Sequence, residues 1–315
     1  MDKKINYSIV LVSLTFSFMA GSGFYGFGPD FYAAYYKSNL TWGNWNDKLG
    51  YLISTLNIFG IHWGVYIVSL ILALSTGILL KVFFKKNNKS NIFIFFITYI
   101  LILHTWPIIM STSNAMRQGL VMSFVFISLA NLIDRKIYTS LFFIFISIFF
   151  HKSGIFFLVT FFYLMFFSFF LKNTKLSVNL FFILLLTAIL LFGSILFFSI
   201  FFPDFEPSKI ISRDNRYFFM LFFLIYISLF FFRIRYSIYN KVNLFLYIFG
   251  FATLPMIYIG LNWEYERMMM IVTIPLILFT CELLSTRKML YLYLMISFIT
   301  LLSLTVIFDQ YDSLS

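Results

Sequence analysis

Charge is scarce in this sequence. Of 315 residues only 11% are charged, and 61% are apolar. A soluble domain carries about 25% charged residues. So thin a supply cannot clothe a water-facing surface, which excludes a soluble globular chain and makes lipid the solvent for most of it. Cysteine is nearly missing as well. Cys281 is the single cysteine, which excludes an internal disulfide and a thiolate metal cluster. The three histidines, His62, His104 and His151, are distant from one another and the carboxylates are scattered. No metal-ligand spacing results, and no metal or other cofactor is expected. No Gly-x-x-x-x-Gly-Lys-Ser/Thr run offers a phosphate loop for ATP. No long polar stretch interrupts the chain, so one transmembrane domain over residues 1–315 is the expectation. No fixed-period repeat or pair of inverted halves is visible, which disfavours the common transporter folds.

What is present is a series of apolar runs. A helix needs about 20 residues to cross a hydrocarbon core about 30 Å thick. On that measure the spans are 5–26, 62–84, 91–110, 116–133, 137–150, 154–171, 177–202, 217–232, 242–260, 268–284 and 289–308. The predicted class is all-α: a polytopic integral membrane protein with about eleven transmembrane helices. Residues 1–23 have the look of a signal peptide, but an uncleaved first span serves the insertion of the later ones.

The sequence holds 23 Lys and Arg against 12 Asp and Glu, a net charge of +11. Such a balance suits nucleic acid, but it suits cytoplasmic loops better. With the N-terminus inside, 15 of the 23 basic residues fall in the cytoplasm. Every short inner loop then carries at least two Lys or Arg, as the positive-inside rule asks. No nucleic-acid partner is expected. The outer face receives longer segments near 27–61, 203–216 and 261–267. Within the first, residues 49–61 are apolar but too short to span. An interfacial amphipathic helix or a re-entrant dip is the expectation there.

Basic residues on the outer side run against the topology rule and need a reason to be there. Arg117 lies in Ser111-Thr-Ser-Asn-Ala-Met-Arg-Gln-Gly119, at the outer start of the fourth span. A helix start already attracts anions, so an added guanidinium there makes sense if an anion binds, since it can grip phosphate with two parallel bonds. The plain alternative is an Arg snorkelling to headgroups. His151-Lys152-Ser153 interrupts an apolar stretch after only 14 residues, 137–150. Fourteen residues reach about 21 Å, so this tip should sit recessed below the headgroups. Ionisable groups at such depth usually face a polar cavity. Imidazole exchanges protons near neutral pH, although a histidine satisfied by a backbone carbonyl is the structural alternative. Arg213 and Arg216 share a helical face if their segment is a helix, and could clamp one anion unless Asp204 and Asp214 neutralise them. Arg267 follows Glu264 and Glu266, and pairing with Glu264 would be purely structural. His62 is a weaker candidate. His104, beside Trp106-Pro107, has the setting of a residue lining a kinked span. Guanidinium suits diphosphate and aromatic rings suit sugars or a prenyl chain, so a membrane-embedded donor with a diphosphate head satisfies both.

Met116-Arg117-Gln118-Gly119-Leu120 at the start of a span, then a short basic turn, then Phe149-Phe150-His151-Lys152-Ser153, resembles the EpsG-like group of Wzy-type polysaccharide polymerases. Gly28-Pro29-Asp30 through Tyr35-Tyr36 is similar to the first outer loop of that group, and Glu266-Arg267 to a later recurring position. Gly154 stands where Ala is more usual, and Pro29 precedes the Asp. The resemblance implies a GT-C-like helical bundle in the bacterial inner membrane, active on its periplasmic side without a metal. It implies a glycosyltransferase that joins undecaprenyl-diphosphate-linked oligosaccharide units into O-antigen, capsule or exopolysaccharide. Membrane lipids surround it, and a chain-length regulator and a flippase of the same pathway are conceivable partners.

On that reading the residues take roles. Arg117 stabilises charge on the departing diphosphate, followed by Arg216, Arg213 and Arg267. His151 is the candidate base for the acceptor hydroxyl. Asp30 contacts sugar or orients a catalytic group, and Lys152, Gln118 and Tyr35 are further substrate-binding candidates. The rivals are a flippase or other transporter of the same lipid-linked sugar, a membrane acyltransferase of surface polysaccharide, and a structural partner of a synthesis complex. The orientation is testable. In a Cys281→Ser background, a cysteine at Ser208 should react with an impermeant maleimide on intact cells and one at Lys86 only after lysis. The reverse pattern would invert the topology.

Overall fold

The computed structural model describes residues 2–28, 31–32, 57–86, 91–151, 153–170, 241–253 and 262–281. In hydrocarbon a peptide group finds no water, so each segment satisfies its own N–H and C=O groups by coiling. The described elements are α1 (Asp2–Gly21), β1 (Asn57–Ile58), β2 (Ile61–His62), α2 (Trp63–Lys86), α3 (Ile92–Leu103), α4 (Trp106–Ser113), α5 (Met116–Ile133), α6 (Ile137–Ile148), α7 (Gly154–Phe170), α8 (Lys241–Thr253) and α9 (Asn262–Cys281). Among the described residues three helices, α1, α2 and α5, are long and apolar enough to cross a membrane, and a fourth crossing follows if α3 and α4 form one span. The protein is a helical membrane protein.

The helices fall into two compact units, one holding the chain through Gly154 and one spanning residues 155–283. In the first, α1 and α2 run antiparallel. Lys81 donates to Asn6 Oδ1 (2.8 Å) near one end, and Gly21 meets Ile61 and Tyr66 at the other. Between these, Tyr99 of α3 donates its hydroxyl proton to the Ala73 carbonyl of α2 (2.6 Å). That leaves the phenol oxygen to accept from Ser13 of α1 (2.8 Å). Three helices are thus tied by one buried phenol. Gly77 lies at the same level, where a Cβ would press on Ile9 (2.8 Å) and on the Tyr99 ring (3.1 Å).

Helices α5 and α6 form an antiparallel hairpin. Ser128 of α5 bonds the Ser140 hydroxyl (2.7 Å) and carbonyl (2.9 Å) of α6, and Phe124 stacks on Phe143 and Phe150. The turn between them places Arg135 at φ 62°. There Lys136 N–H bonds the Asn131 carbonyl and Arg135 N–H that of Leu132, a helix stop of the kind that favours glycine. In the second unit, Phe157 of α7 stacks on Phe249 of α8 with ring centres 4.0 Å apart.

The span 91–110 bends where Trp106-Pro107 led a kink to be expected: it is broken after Leu103, and α3 and α4 are bent by 57°. Pro107 sits in the first turn of α4, where its missing N–H costs nothing. Other expectations change. Of the segment 49–61 only residues 57–61 are among the described ones, and they are not helical. Residues 57–62 make a two-strand hairpin turning at Phe59 (φ 57°) and Gly60 (φ 72°). Residues 262–267 are not a loop but the first turns of α9. The spans 177–202, 217–232 and 289–308 lie outside the described residues.

Replacing Tyr99 by Phe should lower the stability of the micelle-solubilised protein by about 1 kcal/mol, the usual range for a hydrogen bond between membrane helices. Denaturant unfolding followed by tryptophan fluorescence would measure it, and an unchanged midpoint would show that the three-helix tie contributes nothing.

Candidate functional site

The site is built around the start of α5. Asn91, which opens α3, accepts from two N–H groups of its helix, those of Phe93 and Ile94. By contrast α5 opens at Ala115, a residue with no side chain able to cap. The positive end of the helix dipole lies at this buried start. Arg117 lies in that first turn, half-buried. Around it the chain is polar yet enclosed: Ser111, Thr112, Ser113, Asn114 and Gln118 are all buried. The Ser111 hydroxyl is buried and has no hydrogen-bond partner among the described residues.

This polar elbow exists because two glycines let backbones close on it. A Cβ at Gly119 would run into the Ser111 carbonyl oxygen, so only glycine lets α4 fold back this tightly on α5. A Cβ at Gly28 would run into the Asn114 side chain. Gly28 therefore seats the loop after α1 directly on the α4–α5 elbow. Phe31, just beyond, is buried in an apolar cluster with Ala20, Val65, Val68, Met116 and Leu120, and Phe150 packs against the same cluster. Asp30 is bracketed in sequence by these two anchored residues, although it lies itself outside the described ones.

His151 reaches this end from α6. Ser128 faces Ser140, and eleven residues back along α5 and eleven onward past α6 lead to Arg117 and His151. Their immediate neighbours, Met116 and Phe150, meet at the shared cluster. Local hydrogen bonds hold His151. Gly154 N–H bonds the His151 carbonyl (2.9 Å), and the ring nitrogen Nδ1 takes both the Ser153 backbone N–H (3.2 Å) and the Ser153 hydroxyl (2.9 Å). A Cβ at Gly154 would lie 2.7 Å from the Ile148 nitrogen and 2.8 Å from the Ser147 carbonyl carbon. Only a residue without a Cβ fits the tip as closely as it is closed here. Helix α6 has 12 residues, about 18 Å of rise.

Two histidines rated weakly from sequence also belong to this end. His62, in β2 ahead of the spanning helix, contacts the rings of Phe27 (4.7 Å) and Phe31 (5.2 Å), and burial holds its imidazole below the ordinary range. His104 caps α3 at the break. Its Nδ1 donates to the Ile100 carbonyl (2.8 Å), and its Nε2 accepts the Tyr25 hydroxyl (2.9 Å). Tyr25 in turn packs on the Met116 cluster. Asn114 was not singled out as a candidate, although it stands in the polar stretch 111–119 around Arg117.

Of the other predicted residues, Tyr35, Lys152, Arg213 and Arg216 lie outside the described residues. Arg267 is carried by α9, in the second unit. Among the described residues no group of His, Cys, Asp and Glu could hold a metal.

Gly119→Ala should cut the yield of folded protein severely, because backbone rather than a flexible side chain meets the new methyl. Size-exclusion of a fluorescent fusion would report it. A normal monodisperse peak would mean that α4 can move off α5 without cost.

The model of the EpsG family matches residues 6–314. No curated protein and no solved structure matches the chain. The motifs at 111–119 and 149–153 and the loop at 28–36 are therefore parts of one match that runs almost from end to end. The chain belongs to the EpsG family.

Proposed function

We propose that this protein is a glycosyltransferase of the polysaccharide-polymerase type. It joins oligosaccharide repeat units carried on a polyprenyl diphosphate, at the outer face of the bacterial inner membrane, within a GT-C-like bundle of about eleven crossings. One observation carries the reading. Met116 and Phe150, the neighbours of Arg117 and His151, pack on a single apolar cluster, so two ionisable groups from separate hairpin ends stand at one end of a lipid-embedded unit. Family membership supports the same conclusion.

The chemistry follows. Breaking the bond between the anomeric carbon and the diphosphate builds negative charge on the leaving oxygen. A guanidinium fixed at a helix start stabilises that charge without having to reorganise. Arg117 takes this role first. Arg213, Arg216 and Arg267 remain candidates for the rest of the diphosphate. Asp30, Tyr35, Gln118 and Lys152 remain candidates for the sugar. A flippase would need its cations along a path open to both faces. Here Arg117 and His151 gather at one end, which favours a reaction there.

The test is the size distribution of surface polysaccharide in a deletion strain. Loss of long chains with retention of single units marks a polymerase, whereas a lost flippase removes the single units as well. Arg117→Ala should lower polymer formation by about 10²–10³-fold. Arg117→Lys should recover only part of it, because an ammonium cannot make the paired bonds of a guanidinium. Ladders of normal length from either variant would remove Arg117 from the mechanism.

A further inference from the structure

A histidine can take a proton only at a ring nitrogen whose lone pair is not already engaged. In His151 the Ser153 backbone N–H points at Nδ1 from 3.2 Å. A backbone N–H can only donate, so Nδ1 is the acceptor and carries no proton. The Ser153 hydroxyl, 2.9 Å from the same nitrogen, then donates as well. The neutral ring must hold its proton on Nε2. The lock is structural. Ser153 is fully buried, the Gly154 N–H bonds back to the His151 carbonyl, and backbone atoms of Ser147 and Ile148 leave no room for even a Cβ at Gly154. His104 shows the opposite arrangement in the same unit. Its Nδ1 faces the Ile100 carbonyl, which can only accept, so its proton is on Nδ1 and Nε2 accepts from Tyr25.

We infer that His151 acts through its Nε2 proton as a hydrogen-bond donor to an oxygen of the lipid diphosphate, beside Arg117, and is not the base for the acceptor hydroxyl. This rests on the polymerase reading and specifies what its site does. In the step, the acceptor oxygen forms the new bond to the anomeric carbon. The bond from that carbon to the diphosphate oxygen breaks, with its electron pair staying on the oxygen. The hydroxyl proton ends on the released diphosphate. His151 neither gains nor loses a proton. It lowers the barrier as an oxyanion donor does, by meeting charge as it develops. A diphosphate is a good leaving group, so a strong base is not required.

The two roles separate by substitution. Glutamine places an amide N–H where Nε2–H was but cannot accept a proton. Asparagine reaches only the δ position. The substrate for the assay is the lipid-linked repeat unit that accumulates in the deletion strain, offered to the full-length protein in detergent. His151→Gln should keep at least a tenth of wild-type elongation, while His151→Ala and His151→Asn should lose about a hundredfold or more. An activity of His151→Gln as low as that of His151→Ala overturns the donor role. A second measurement does not depend on turnover. With only three histidines in the chain, ring ¹⁵N shifts of the labelled protein, assigned with the His104→Gln and His151→Gln variants, report both tautomers. The expected result is a proton on Nε2 of His151 and on Nδ1 of His104. A proton on Nδ1 of His151 overturns the inference. If the wild-type protein leaves the lipid-linked units unjoined, the polymerase reading itself fails and the role falls with it. A dead His151→Gln beside an active wild type overturns the role alone.

Discussion

Hydrocarbon offers a peptide group no partner except another group of the protein. Everything else in this structure depends on that constraint. It makes the described chain almost wholly helical and dictates where the chain is allowed to stop being helical. Non-helical backbone at depth survives only where protein encloses it or where it lines a wet cavity. In the first unit the turn after α1, the break at His104–Thr105, the elbow at Asn114–Ala115 and the tip at Phe149–Ser153 are each bonded or packed in this way. Local side-chain bonds assist: Thr105 to the Ile102 carbonyl, His104 to that of Ile100, Ser147 to that of Ile144. The places where polar backbone can be tolerated have been gathered together, and the ionisable residues accompany them.

Close backbone approach makes the gathering geometrically definite. Gly119 brings α5 against α4, Gly28 brings the loop after α1 against Asn114, and Gly154 tightens the His151 tip. Each lacks a side chain at a point where a single carbon would force segments apart. A site that stabilises charge as it develops depends on donors already in position, and a displacement of about 1 Å is enough to spoil it. Small residues far apart in the chain therefore serve the same end as the charged ones.

The opposite end of the unit obeys another rule. Arg135 occupies a left-handed conformation (φ 62°), where a glycine would be more comfortable by about 1–2 kcal/mol. Arg135 and Lys136 stand side by side at this turn, the charge pattern that favours the cytoplasmic side of a membrane.

Hydropathy reports the solvent of each residue, and in lipid that determines both which segments coil and about how far. The helix Met116–Ile133 begins and ends where the apolar run does, and α2 and α7 come close. Spacing along the chain also singled out Arg117 and His151. A kink beside Trp106-Pro107 was legible, but not the full break after Leu103, because the apolar run continues through it. Nor was the extension of α9 back to Asn262, since charged residues read as loop when helix and loop are judged by polarity alone. The contacts Gly28–Asn114, Tyr25–His104 and Phe150 with the Met116 cluster join residues dozens of positions apart, which no local pattern encodes. The tautomer of His151 belongs to the same category. The residue type made an imidazole available, but the direction of its proton was decided by a backbone N–H two residues on, held in place by a tip that closes only once the helices have packed.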